Sequence, residues 1–151
     1  MPDTPEPETP QTILAFDFGL RRIGVAVGQT VTGSASPAGV VDNGGAGPDI
    51  ERIRDLIAEW RPARLVVGLP VNADGSSSDM QARVRRFAQL LRTFELPVAM
   101  VDERYTSIEA EAGLRRARAE GRRGRITRAA VDAAAAVLIA ERYLAGQQTS
   151  V

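Results

Sequence analysis

Apolar and polar positions along the chain predict a run of strands followed by alternating strands and helices. Two-residue alternation with β-branched and aromatic residues is typical of strands, and apolar residues three or four apart are typical of amphipathic helices. A turn at 19–22 joins the first two predicted strands into a hairpin, and glycine-rich composition predicts a loop over 42–48. The predicted strands are 12–18, 23–28, 35–41, 64–69 and 98–102, and the predicted helices are 49–60, 79–94, 106–119 and 128–144.

The element order βββαβαβαα predicts an α/β domain with a five-stranded mixed sheet and helices on both faces. Right-handed crossovers make the alternating part of such a sheet parallel. The length of 151 residues suits one domain, which we assign to 11–146. Residues 1–10 are acidic and proline-rich and are expected to form a disordered tail, and 147–151 a flexible C-terminus.

Composition excludes several kinds of chemistry. The chain has no cysteine and no histidine, which removes disulfides, thiolate zinc sites, cysteine nucleophiles and histidine acid–base catalysis. All 19 basic residues are arginine, and the formal net charge is zero. No apolar run reaches the roughly 18 residues of a membrane span, and the first ten residues do not resemble a secretory signal. We therefore expect a cytoplasmic protein with no membrane association.

Two acidic positions lie at strand ends. Asp17 stands in the run ILAFDFG, where alternation places it on the face of Ile13 and Ala15, although it could also simply enter the turn. Glu103 follows a strand that ends at Asp102. The carboxyl ends of parallel strands collect functional residues, but local sequence does not decide which of these two neighbours faces the cleft.

A third acid, Asp132, stands inside the alanine-rich final helix. Aspartate is a poor helix-interior residue, so the position indicates either a site or an ion pair with Arg128 four residues earlier. Carboxylate oxygens suit Mg²⁺ or Mn²⁺, and two such ions about 4 Å apart can bind the attacking and leaving oxygens of a phosphodiester. Water activated by such an ion requires no histidine base.

Arginines are concentrated before the final helix, where seven lie within 115–128. We expect them to bind phosphates, although a solvated helix face would show the same pattern. Because aromatic residues make up only 5% of the chain, recognition of backbone and shape is expected rather than single-base readout. The candidate nucleic-acid-binding residues are Arg21, Arg22, Arg104, Arg122, Arg123, Arg125 and Arg128.

Four stretches resemble the YqgF (RuvX-like) family of pre-16S rRNA nucleases, which are related to Holliday junction resolvases. They are ILAFDFGLRRIGVAVG, VVGLPVNADGSSS, VDERYTS and the helix around Asp132, in the family's order. The resemblance implies an RNase H-like (RuvC-type) fold and a catalytic, metal-binding triad of Asp17, Glu103 and Asp132, which selects Glu103 over Asp102. Ala130 and Ala133 depart from residues common in the family and affect substrate contacts rather than the triad.

The resemblance implies metal-dependent hydrolysis of phosphodiester bonds with two Mg²⁺ or Mn²⁺ ions, and maturation of the 5′ end of 16S rRNA. The expected partners are pre-rRNA and ribosomal subunit precursors. A Holliday junction resolvase, which would act on branched DNA as a dimer, and a non-catalytic RNA-binding assembly factor are the alternatives. A sugar kinase or actin-like ATPase needs two such domains, and this chain can build one. The sequence does not decide whether single-stranded DNA is also a substrate, or whether the protein is a monomer or a homodimer.

Overall fold

Six strands and three helices are found in the residues that the structure, a computed structural model, describes: 10–70, 79–102 and 128–149. Within these ranges no helix is both long and apolar enough to cross a membrane. The elements are β1 (Thr12–Asp17), β2 (Arg22–Gln29), β3 (Ser34–Gly44), β4 (Gly47–Pro48), α1 (Ile50–Trp60), β5 (Arg64–Leu69), α2 (Asp79–Arg92), β6 (Val98–Asp102) and α3 (Arg128–Thr149).

The strands form one mixed sheet in the order β4-β3-β2-β1-β5-β6. Neighbours from β4 to β1 are antiparallel, whereas β1, β5 and β6 run parallel. The carboxyl ends of β1, β5 and β6 therefore meet at one edge of the sheet, with β1 between its hairpin partner and the parallel strands. A change of direction of this kind in the strand order is where open α/β sheets place their ligands.

Alternation along the strands divides the core between the two faces of the sheet. One face carries Leu14 and Phe16 and is covered by α1 and α2, while the other carries Ile13 and Ala15 and is covered by α3. The side chains that α3 presents to the sheet are small near its middle: Ala136 and Ala140 are fully buried. This small-residue surface lets the helix lie close to the strands.

The direction of α3 follows from its packing near the start of β1. A Cβ atom built on Gly28 would lie 3.0 Å from side-chain atoms of both Ile13 and Leu144, so the late part of α3 lies over the first residues of β1. Ala136, earlier in α3, belongs to the same buried cluster as Ala15, further along β1. The N-terminal part of α3 therefore extends towards the carboxyl edge of the sheet.

The ends of α1 show why its sequence forms a helix there. Asp49 accepts a hydrogen bond from the backbone N–H of Arg52 at 3.2 Å and caps the N-terminus. Arg61 ends the helix in the left-handed region, with φ 47°, immediately before Pro62. The observed bounds agree to within one residue with the predicted helix at 49–60, which was read from apolar spacing and Pro62.

The prediction of five strands was wrong because the segment read as a loop over 42–48 contains strand pairing. β3 continues to Gly44, and its last two residues pair with β4. Asn43 holds this extension in place: its backbone N–H donates to Arg21 O at 2.8 Å and its side-chain Nδ2 to Gly19 O at 2.7 Å. Local composition favours a loop there, whereas contacts with the first hairpin stabilise an extended strand.

Two helix ends also differ from prediction. α2 ends at Arg92 rather than 94, and α3 continues to Thr149 rather than ending at 144. The predicted helix at 106–119 lies outside the described residues.

Candidate active site at the carboxyl edge of the sheet

Asp17 is the last residue of β1 and lies in the centre of the carboxyl edge. It is half-buried, whereas the four residues before it, 13–16, are each at most 2% exposed. Phe16 and Phe18 both belong to the core on the α1 and α2 side. Asp17 therefore shares the opposite face, covered by α3, with Ile13 and Ala15, as alternation predicted.

Buried glycines occupy the sheet positions on both sides of Asp17. Gly24 is its partner in β2, and Gly68 follows Val67, the β5 partner of Phe16. Glycine in a strand interior allows another backbone or a ligand to approach closely. On both neighbouring strands, the position beside this carboxylate therefore offers only backbone atoms.

The turn after Asp17 is fixed by Gly19 and Asn43. A Cβ on Gly19 would overlap the carbonyl oxygen of Arg22, so any other residue would force this turn to shift. Asn43, only 6% exposed, donates to the Gly19 carbonyl. Sequence reasoning missed Asn43, because an asparagine in a glycine-rich stretch looks like an ordinary turn residue.

The end of β6 bears on the choice between Asp102 and Glu103. Met100 packs with the core on the α1 and α2 side and Val101 with the cluster under α3. Asp102 is exposed and, by alternation, continues on the side of Met100, away from the face of Asp17. Its carbonyl oxygen accepts a hydrogen bond from Arg142 Nη1 at 2.7 Å. Glu103 and Arg104 lie outside the described residues.

The remaining candidates are described only in part. Arg21 is exposed in the turn, and Arg22, half-buried, begins β2 opposite Asp42. Asp132 and Arg128 lie in the first two turns of α3, where the backbone but not the side chains is described. Within 10–70, 79–102 and 128–149, no group of three acidic, histidine or cysteine side chains could hold a metal ion. Arg122, Arg123 and Arg125 lie outside those ranges.

Comparison with known proteins decides the family. The family model described as "RuvX: Holliday junction resolvase" matches residues 11–146. This chain belongs to the RuvX family. The resemblance noted from the four sequence stretches is therefore confirmed.

Curated relatives of this RuvX-family chain carry a common name. A protein of Burkholderia lata named "Putative pre-16S rRNA nuclease" is 49% identical over 134 residues, which is 88% of each chain. An Azotobacter vinelandii protein of the same name is 47% identical over 137 residues, covering 90% of this chain and 94% of its own. Similarity thus extends over nearly the whole length of both proteins.

Solved structures confirm the RuvC-type fold. Thermus thermophilus RuvC in complex with a Holliday junction substrate matches with a TM-score of 0.57 at 17% identity, covering 93% of this chain and 98% of that one. The yeast mitochondrial Holliday junction resolvase Ydc2 matches with a TM-score of 0.50 at 10% identity, covering 95% and 82%. At these identities the similarity establishes the fold alone.

Proposed function

We propose that this RuvX-family protein is a divalent-metal-dependent nuclease that hydrolyses phosphodiester bonds in structured nucleic acid, with pre-16S rRNA as its substrate in the cytoplasm. The observation that carries the proposal is the half-buried carboxylate of Asp17 at the carboxyl edge of the sheet, between two buried glycines. The name shared by close relatives supports the choice of substrate.

The catalytic group that we propose consists of Asp17, Glu103 and Asp132. Val101 packs under α3, so a strand that continued one residue past Asp102 would place Glu103, two residues after Val101, on the same face as Asp17. The backbone of Asp132 lies one turn before Ala136, in the part of α3 that extends towards the carboxyl edge. These placements favour one site under the N-terminal part of the helix.

The donor set suits hard divalent cations. The three carboxylates offer only oxygen ligands, which Mg²⁺ and Mn²⁺ prefer, and we propose that they hold two ions. When bound, the ions would supply Lewis-acid activation of water and neutralise charge on the phosphate. The absence of histidine from the chain accords with this division of roles, since the carboxylates need only bind and orient.

The arginines around this edge are assigned the role of binding substrate phosphates. Arg21 lies in the turn after Asp17, Arg22 begins β2, and Arg128 begins α3, the helix that carries Asp132. Arginine binds phosphate through two parallel hydrogen bonds, which positions the backbone without reading bases. We propose the same role for Arg104, Arg122, Arg123 and Arg125.

Cleavage assays with matched aspartate variants test the proposal. Labelled pre-16S rRNA, four-way-junction DNA and single strands are incubated with Mg²⁺, Mn²⁺ or EDTA. We expect Asp17→Asn to lower the cleavage rate by at least about 100-fold, because loss of metal-assisted charge stabilisation costs several kcal/mol. Asp102→Asn, on the opposite face, should stay within about twofold of wild type. Undiminished cleavage by Asp17→Asn would contradict the proposal.

A Holliday junction resolvase is the second candidate, favoured by the description of the matching family model. Such an enzyme needs two sites acting on opposed strands, hence a dimer. Paired symmetric nicks in a four-way junction, together with a dimer in sedimentation, would favour it over rRNA maturation. Strong RNA binding with no cleavage under any metal would instead indicate a non-catalytic assembly factor.

A further inference from the structure

An open cleft of about 550 Å³ lies on the other face of the sheet from Asp17, between α2 and the β3–β4 hairpin. Its size is within the roughly 300–1,000 Å³ of small-molecule sites. We call it the edge cleft. It is lined chiefly by Phe18, Asn43, Pro48, Arg83, Arg86 and Phe87.

The floor of the edge cleft is aromatic. Phe18 is half-buried, and its ring centroid lies 5.3 Å from that of Phe87 with the planes inclined at 45°. Phe87, only 3% exposed, holds the Phe18 ring from the core side. Because Phe18 lines the edge cleft and Phe87 packs against it, a flat apolar group in the cleft would meet a ring that is already held in place.

The wall formed by α2 is positively charged. Arg83 and Arg86 are exposed and, with Phe87 and Leu90, occupy one stripe of the helix at spacings of three and four residues. Among the residues that the structure describes, no ion pair is found for either guanidinium. The edge cleft thus combines a stacking surface with two donors suited to phosphate.

The edge cleft adjoins the proposed catalytic edge through consecutive residues. Phe18 directly follows Asp17, so their Cα atoms are about 3.8 Å apart, and their side chains point to opposite faces of the sheet. A nucleic-acid strand that presents a phosphate at Asp17 would cross this edge, and a neighbouring nucleotide would reach the edge cleft.

We propose that the edge cleft binds one unpaired nucleotide of the substrate, with its base stacked on Phe18 and its phosphate held by Arg83 and Arg86. The inference rests on the proposed nuclease function and adds a requirement to it. The substrate must carry an unstacked base at a fixed distance from the cut. Since every base has a π-face, the contact should tolerate any base.

An abasic scan of an RNA hairpin with a single-stranded extension, in which the duplex fixes the register of the extension, tests the proposal without metal or catalysis. Affinities are measured in EDTA for the full RNA and for RNAs lacking one base at each position in turn. We expect one position to lose about 5- to 100-fold in affinity, the range of base–aromatic stacking. Phe18→Leu should lose a similar factor on the full RNA and no more on the RNA lacking that base.

Arginine variants test the phosphate contact with controls on the same helix. Arg83→Gln with Arg86→Gln should weaken binding of every RNA and, because the two arginines hold one phosphate, reduce the salt slope by about one. Arg85→Gln with Arg92→Gln removes two exposed charges of α2 that do not line the edge cleft, and should change affinity less than twofold. Thermal unfolding of each variant checks that the fold is intact.

Several results would overturn the proposal. The first is an abasic scan in which no position changes the affinity more than the others. The second is a loss of affinity in Phe18→Leu that multiplies with the loss caused by the missing base. The third is an equal loss of affinity in the two arginine double variants. A synthetic peptide of residues 1–10 that binds in an Arg83- and Arg86-dependent way, alongside a flat scan, would make the acidic tail the occupant. Metal-dependent cleavage together with a flat abasic scan would contradict the nucleotide site and leave the proposed nuclease function standing. The expected abasic scan without any metal-dependent cleavage would contradict the nuclease function and support the nucleotide site.

Discussion

At the scale of single residues, the carboxyl edge of β1 is built by amino acids that leave little freedom. Asp17 ends a strand whose preceding residues, 13–16, are at most 2% exposed. Gly24 and Gly68 leave the positions beside Asp17 on the neighbouring strands without side chains, and Gly19 lets the chain turn back at once. The position of the carboxylate is therefore set by its strand and turn.

Gly19→Ala tests how strictly the turn is defined. The new Cβ would overlap the Arg22 carbonyl, so the backbone must shift, and we expect a loss of about 1–3 kcal/mol in the free energy of unfolding. Gly45→Ala is the matched control, because nothing lies within 4 Å of a Cβ there, and should change stability by less than about 0.5 kcal/mol. Urea denaturation measures both. Equal stabilities would show that the turn relaxes freely.

At the scale of elements, α3 matters because it brings the backbone of Asp132 towards the sheet edge. Ala136 and Ala140 are both fully buried between the helix and the strands. Alanine is small and favours helix formation, so the helix can pack close to the sheet. Leu144 fixes the other end against Ile13 and Gly28. The spacing between α3 and the sheet thus depends on residues that carry no chemistry.

Ala136→Leu should move α3 outwards from the sheet. Overpacking a filled interface costs about 1–3 kcal/mol, and a displaced α3 would lower cleavage more than the loss of folded protein explains. Ala145→Leu, on an exposed position of the same helix, provides the control and should leave both quantities nearly unchanged. The test compares the cleavage rate, below the unfolding transition, with stability from thermal melts. A stability loss without any excess loss of rate would argue against a positioning role.

At the scale of the whole molecule, zero net charge hides an uneven distribution. The first ten residues contain acidic residues and no basic residue, whereas seven arginines lie within 115–128. Binding of a polyanion depends on local rather than total charge, because each neutralised phosphate releases counterions. A protein with no net charge can therefore still bind nucleic acid in a salt-dependent way.

Salt titration measures the contribution of the arginine cluster. The affinity for single-stranded RNA should fall with salt, and Arg122→Gln with Arg123→Gln should reduce the slope of log K against log salt by about one to two. The Arg85→Gln and Arg92→Gln pair again removes two charges elsewhere and should leave the slope unchanged. If both pairs act alike, binding follows overall charge and the cluster has no special role.

Local sequence predicted most elements because their signals are local. Short apolar runs placed β1, β5 and β6, and helical spacing together with Pro62 bounded α1. The β3–β4 pairing was not predicted, because it depends on Asn43 reaching Gly19, 24 residues away in the chain. A hydrogen bond between distant residues leaves no local pattern to detect.

The sequence by itself determined the family, the α/β order of elements, and the face of Asp17, since strand periodicity and motif order are properties of the chain alone. Tertiary structure decided that β1 lies between its hairpin partner and the parallel strands, and that Asp102 continues on the side of Met100. It also formed the edge cleft from Phe18, α2 and the β3–β4 hairpin. Packing alone brings such distant residues together, because proximity in space depends on how helices and strands cover one another.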